Sequence, residues 1–384
     1  MSPDPRASPI VVAREWTRLG CIGFGGPPAH IRLLRELCVE RRHYLDASEF
    51  EDAIAACNIL PGPASTELAI FCAWRVRGRL GALVGGAAFI VPGLIVILAL
   101  AALFLSSPPR WVLGAGAGAG AAVPAVAVQA GTTLMSASWQ RRKQTIRWLA
   151  YLAAGGAAAA TIGVWLVLVL LGCGVIELAA QRARRDDASV HSVLAAPLLA
   201  AGAIGGGLLL SVAWVAFKVG GLSFGGGFVI IPLMQADAVG HYHWMTGAQF
   251  LNAVALGQVT PGPVVQTVAV VGYAAAGLAG GLLASAVAFT PSFLFILFGA
   301  NRFNLLRGDQ RARAFLDGTG PAAIGAILGS AIPLARALTQ PWQFAVLAAA
   351  AVVLLVLRRG VVLTLVSAGV VGTLIALAGG PLPH

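Results

Sequence analysis

The sequence predicts an all-α polytopic membrane protein made of two inverted-topology repeats, with broken helices and re-entrant Pro-Gly-Pro hairpins. Three observations carry this prediction. Of 384 residues, 58% are apolar and only 11% charged, whereas a soluble domain averages about 25% charged. Apolar runs at 80–105, 149–176, 194–217, 278–300, 322–338 and 344–377 approach or exceed a bilayer span, which takes about 20 helical residues. Finally, the chain matches itself at an offset of 200 residues. This composition excludes a disordered chain, a disulfide-stapled secreted domain and an ordinary cytosolic enzyme.

The repeat sets the domain organisation. Gly20 pairs with Gly220, Phe24-Gly25-Gly26 with Phe224-Gly225-Gly226, and Ile31 with Ile231. His43 pairs with His243, Phe50 with Phe250, and Pro61-Gly62-Pro63 with Pro261-Gly262-Pro263. Pro92 pairs with Pro291, one residue out of step. The first repeat is taken as 1–181 and the second as 193–384, with 182–192 (Arg182-Ala183-Arg184-Arg185 onward) as the polar linker.

Charge orients the halves. Arg32, Arg35, Arg41 and Arg42 crowd the first connection, while the matching stretch 232–248 has no Lys or Arg. Basic loops mark the cytoplasmic side, so the two connections fall on opposite faces, a construction common in transporters. The segment 50–74 is about one span long yet basic at both ends, with Arg41 and Arg42 before it and Arg75, Arg77 and Arg79 after. A helix broken at Pro61-Gly62-Pro63 and returning to the same face satisfies both ends, because proline removes an amide donor and glycine relaxes φ. Its partner, 249–273, would enter from the other side. Downstream, 80–105 crosses outward and 112–134 returns to Arg141, Arg142, Lys143 and Arg147. The run 149–176 crosses twice with a turn near Gly163, and Arg358-Arg359 divides 344–377 into two short spans. Ten to twelve membrane elements fit these lengths. The start of the chain lacks the apolar core of a cleavable leader, so none is expected.

The net charge of +11 would suggest nucleic acid in a soluble protein. Here the cations sit in short loops between apolar runs, and no nucleic-acid partner is expected. Five cysteines without a Cys-x-x-Cys pair read as small apolar fillers. His241 and His243 have no accompanying carboxylate cluster, so no metal site and no cofactor is expected. Neither a Walker A motif nor a Gly-x-Ser-x-Gly elbow is present. With a single isolated intramembrane carboxylate, the chain reads as a non-enzyme.

The candidate site residues lie at the breaks. Gly25, Gly26, Gly225 and Gly226 either allow close helix packing or expose backbone amides to an anion. Arg18 and Lys218 occupy equivalent positions in the repeat, and Lys218 sits in an apolar segment where a cation needs a partner or a wet cavity, unless it snorkels. Asn58 and Gln258 are repeat-related polar residues beside Pro61, Gly62, Pro63 and Pro261, Gly262, Pro263. Glu67 has Thr267 in the equivalent place. It is read as a proton-coupling carboxylate or, alternatively, as a static partner of Arg75 or Arg77.

Taken together, Phe24-Gly25-Gly26-Pro27 through His30-Ile31, Asn58-Ile59-Leu60-Pro61-Gly62-Pro63 followed by Ser65-Thr66-Glu67, and Gly257-Gln258-Val259-Thr260-Pro261-Gly262-Pro263 resemble the motifs of the chromate ion transporter family, in its long two-domain form. The resemblance covers nearly the whole chain. It implies a secondary transporter that exports chromate across the bacterial inner membrane, driven by the proton motive force, with chromate resistance as the outcome. Sulfate is the related oxyanion some members are thought to handle. On this reading the small oxyanion and membrane lipid are the partners, and a homodimer stays open. A sulfate uptake carrier and a passive anion channel are the alternatives on the same scaffold.

Overall fold

The computed structural model describes residues 8–58, 60, 62–106, 108–140, 142–161, 163–183, 207–223, 228–300 and 310–383. Among them there is no strand, as the composition requires of a chain whose backbone must satisfy itself in lipid. Helix α1 (Pro9–Ile22) is capped by the Ser8 hydroxyl and ends at the glycine break. Helix α2 (Pro27–Arg35) resumes after Gly26 and widens into a π turn, Glu36–Arg41. Helix α3 (Ala47–Cys57) and helix α4 (Ala64–Leu105) meet at the first Pro-Gly-Pro. Then come α5 (Arg110–Gln140), α6 (Thr145–Thr161), a 3₁₀ turn at Gly163–Trp165, and α7 (Leu166–Ala183).

The second half contains α8 (Leu208–Gly221), α9 (Ile230–Gln235) with its π turn Ala236–His241, and α10 (Gly247–Val259). It continues with α11 (Thr267–Gly299), α12 (Gln310–Arg336), α13 (Pro341–Ala351) running into a π turn at Val352–Val356, and α14 (Val361–Leu377). Helix α7 takes in Arg182 and Ala183. The remainder of the stretch read as a linker, 184–192, lies outside the described residues.

Backbone features recur 200 residues apart. Each π turn is followed two residues on by a histidine of positive φ, His43 (φ 50°) and His243 (φ 54°). Tyr44 N–H donates to Cys38 O at 2.7 Å and Trp244 N–H to Ala238 O at 2.8 Å. Helices α4 and α11 are each interrupted by a non-helical pair, Arg77-Gly78 and Ala276-Gly277, whose glycines have φ of 60° and 62°. At these pairs the helix folds back on itself. A Cβ placed on Gly81 would overlap Ala73 O, and one on Gly280 would overlap Gly272 O. Residues eight apart in a straight helix would be about 12 Å distant. The arms α3 and α10 have 11 and 13 residues, about 16–20 Å of helix against a core of about 30 Å.

Five described helices are long and apolar enough to cross a membrane: α4, α5, α7, α11 extended to Val264, and α12. The outer face is apolar, with Ile95, Leu278, Phe298, Leu374 and Leu377 exposed, as suits a lipid-facing surface. Inside, small residues let backbones touch. A Cβ on Gly20 would meet Phe89 O and one on Gly220 would meet Ala288 O, so α1 seats on α4 much as α8 seats on α11. Gly155 and Gly325 bring α6 against α12, and Gly118 and Gly372 bring α5 against α14. Helix α4 also packs on α11, joining the two halves.

Candidate substrate and ion site

Three chain breaks meet where the halves join. The first is the interruption between α1 and α2, where Gly25 and Gly26 take φ of 96° and 73°. These values suit residues without a Cβ, and the break leaves the α2 N-terminus facing the other two segments. The second is the Pro-Gly-Pro before α4, and the third is the Pro-Gly-Pro before α11, where Gly262 has φ 92°.

Hydrogen bonds fasten these breaks across the halves. Gly262 N–H donates to Gly23 O at 3.0 Å. The same carbonyl accepts from His30 Nε2 at 2.9 Å, while His30 Nδ1 faces Ser65 Oγ at 3.2 Å. His30 is buried, with its ring edge-on to Phe89. Since Gly23 O can only accept, Nε2 carries the proton and Nδ1 accepts from Ser65. Gly26 lies against Val264: a Cβ there would be 3.7 Å from Val264 Cγ2. The N-termini of α2, α4 and the Val264–Gln266 turn before α11 are thereby linked through His30 and Gly23. First-turn amides lack intrahelical partners and helix N-termini carry partial positive charge, so such a meeting point suits an anion.

Each Pro-Gly-Pro tip rests on the proline kink of the opposite half. Gln266 Nε2 donates to Ile90 O at 2.6 Å, and a Cβ on Gly93 would overlap Pro261 O. These contacts surround Pro92, which lies inside α4. On the other side, a Cβ on Gly62 would overlap Glu67 Oε1 and stand 3.2 Å from Ser292 Oγ. Ser292 follows Pro291, which lies inside α11. Glu67, Thr66 and Ser292 are fully buried, and Thr66 Oγ1, both Glu67 carboxylate oxygens and Ser292 Oγ have no partner that meets ordinary hydrogen-bond geometry. Ser292 Oγ approaches the Glu67 carboxyl from the opposite half.

The remaining sequence candidates are scattered. Arg18 is exposed and lines a surface pocket with Glu15, Glu36 and Arg41. Lys218 is largely buried and bound to Asp237, at 2.9 Å to Oδ1 and 2.7 Å to Oδ2. Asn58 is exposed, whereas Gln258 is buried with its Nε2 unpartnered. Gly62, Pro63, Pro261, Gly262 and Pro263 are buried at the tips. Pro61, Gly225 and Gly226 lie outside the described residues. Arg75 pairs with Glu49 rather than Glu67. Among the described residues no group of three or more His, Cys, Asp or Glu side chains could hold a metal ion.

Sequence reasoning gave no role to four residues here: His30 and Ser65 entered it only within motifs, and Asp237 and Ser292 not at all. His30 and Ser65 have no polar counterparts, because Ile230 and Val265 stand in their places. Asp237 lies opposite Leu37 and Ser292 opposite Gly93. A polar residue whose repeat mate is apolar was the available signal in each case.

A family model described as chromate transporter matches residues 10–178 and 210–373. The chain is 33% identical to a chromate transport protein of Cupriavidus metallidurans over 96% of its own length and 92% of the relative's. It is 30% identical to a chromate transport protein of Pseudomonas aeruginosa, over 87% and 82% of the two lengths. It is 28% identical to a probable chromate transport protein of Synechococcus elongatus, over 85% and 84%. No solved structure matches.

Proposed function

Because the chain belongs to the chromate transporter family, a family of multi-pass membrane proteins, we propose that it carries chromate out of the cell across the bacterial inner membrane as a secondary transporter driven by the proton motive force. The observation that best supports a tetrahedral oxyanion is the Gly262 N–H to Gly23 O bond. It ties the second Pro-Gly-Pro segment to the glycine break of the first half, which would let helix N-termini from both halves bear on one bound anion. The anion would sit there, among the backbone amides around Gly25, Gly26, Gly225, Gly226 and the Pro-Gly-Pro tips. Gln258 would donate to it from within and Asn58 from the exposed margin.

Lys218 would offset the anion's charge once released from Asp237, and Arg18, at a surface pocket with acids and Arg41, would draw anions to the mouth. Glu67 would exchange the driving proton. The two repeats would stand in opposite orientations, with the short arms α3 and α10 reaching the midplane from opposite faces, and alternating access would follow from rocking one half against the other.

The test is uptake of radiolabelled chromate into inside-out vesicles carrying this chain, with and without an imposed proton gradient and with excess sulfate as competitor. Gradient-dependent accumulation is the expected result. Sulfate movement in place of chromate would overturn the substrate, and flux indifferent to the gradient would overturn the coupling. Unchanged transport in both Lys218→Ala and Glu67→Gln would overturn the assignment of the site.

A further inference from the structure

We infer that Glu67 and Ser292 form a binding site for one small, hard, monovalent cation, a proton or Na⁺, at the seam between the two halves. The role of that cation in driving the oxyanion rests on the transporter reading above; the existence of the site does not.

The argument starts from an unbalanced charge. The Glu67 side chain has 0% exposure and neither carboxylate oxygen is hydrogen-bonded. No described basic residue pairs with it, and the titratable side chain beside it is the Cys57 thiol on α3, which cannot supply a positive charge. Burying a bare carboxylate costs several kcal/mol, so the group is neutralised either by a bound proton or by a bound metal cation. A second buried polar group faces the same space from the opposite half. Ser292 Oγ has 0% exposure, approaches the Glu67 carboxyl without a bond of ordinary geometry, and with Glu67 Oε1 borders the space a Cβ on Gly62 would fill.

The donors decide the class of ligand. A carboxylate and a hydroxyl are hard oxygen ligands, which favour a proton or an alkali cation over thiophilic metals. One carboxylate balances one positive charge, and a divalent ion would leave an excess charge as costly as the one it removed. The repeat-related position shows why a single cation suffices. Thr267 stands where Glu67 would be, and its hydroxyl is already bonded to Val264 O at 2.8 Å. Gly93 stands where Ser292 would be, and the neutral Gln266 amide fills that contact. One tip is therefore held without any ion, and the other depends on one. Because Glu67 belongs to the first half and Ser292 to the second, the state of the site bears directly on how the first tip rests against the Pro291 kink.

The test uses the purified full chain and dicyclohexylcarbodiimide, an apolar reagent that modifies a carboxyl group only in its protonated form. Labelling of the peptide containing Glu67 is read by mass spectrometry across a pH series without Na⁺. A second series runs at fixed pH with rising Na⁺ against choline, and Glu67→Gln serves as the blank. Labelling that falls with pH and ignores Na⁺ supports a proton site, and protection by Na⁺ but not choline supports a sodium site. Labelling indifferent to both series would overturn the proposal. Ser292→Ala should move the midpoint of whichever series responds by about tenfold in cation concentration, the scale of one hydrogen bond to a charged group. Ser292→Thr, which keeps the hydroxyl, should restore it. An unmoved midpoint in Ser292→Ala would remove Ser292 from the site. No oxyanion enters this assay, so its failure is separable from failure of the vesicle experiment.

Discussion

The Lys218–Asp237 pair gives the sharpest test of how charge is handled inside this protein. Both Asp237 oxygens lie within 2.9 Å of Nζ, and the two side chains are only 13% and 6% exposed. Removing one partner of a buried pair typically costs about 3–5 kcal/mol, since the other charge is stranded. Asp237→Asn should therefore cost about 3–5 kcal/mol, which at about 2 °C per kcal/mol for a large chain lowers the unfolding midpoint by about 6–10 °C. Lys218→Met with Asp237→Leu removes both charges at similar volume and should recover most of the loss.

The assay is thermal unfolding of the detergent-purified full chain at fixed protein and salt concentrations, followed by oxyanion flux in vesicles. If the double variant is as unstable as the single one, the cost lies in packing and the electrostatic reasoning fails. If the double variant folds and still transports, Lys218 holds the fold together and does not serve the anion.

Three further outcomes are expected. His30→Ala removes the donor to Gly23 O and the acceptor for Ser65, and should cost about 1–3 kcal/mol of stability. His30→Gln, which can still donate to Gly23 O, should regain part of it in the same unfolding assay. Gly277→Ala should cost about 1–3 kcal/mol from backbone strain alone, because φ 62° with ψ −152° is a conformation essentially confined to glycine while a Cβ there has open space around it; Gly277→Asn should cost as much, since asparagine's tolerance of positive φ is limited to the left-handed α region. Glu177→Gln breaks a buried cluster in which Glu177 accepts from Tyr151 at 3.0 Å and Gln181 at 2.8 Å and pairs with Arg147 at 3.2 Å. It should cost about 3 kcal/mol, seen as a lower unfolding midpoint, whereas Tyr151→Phe should cost about 1 kcal/mol.

Much of the fold was legible because the solvent constrains it. A chain 58% apolar that must satisfy its backbone in lipid has little choice but helices. The turn near Gly163 and the division at Arg358-Arg359 follow from where polar and small residues interrupt apolar runs. The fold-back at Arg77-Gly78 and Ala276-Gly277 was not read. Its signal is a single glycine in each half, and single glycines abound in this sequence. The chain breaks of the candidate site were legible in the sequence, and the side-chain contacts around them were not. Triplets such as Pro61-Gly62-Pro63 announce a break through local chemistry, but what a break touches depends on elements far away in the chain.

The sequence by itself determined the all-helical membrane class, the internal repeat and the family, because composition, offset matches and motifs are properties of the chain alone. Only the tertiary structure decided who meets whom. Asp237 takes Lys218, Glu49 takes Arg75, and Ser292 comes to Glu67 from the opposite half. Charges in a low-dielectric interior are governed by their nearest neighbours within a few ångströms. Folding brings those neighbours together across separations in sequence that no local pattern encodes.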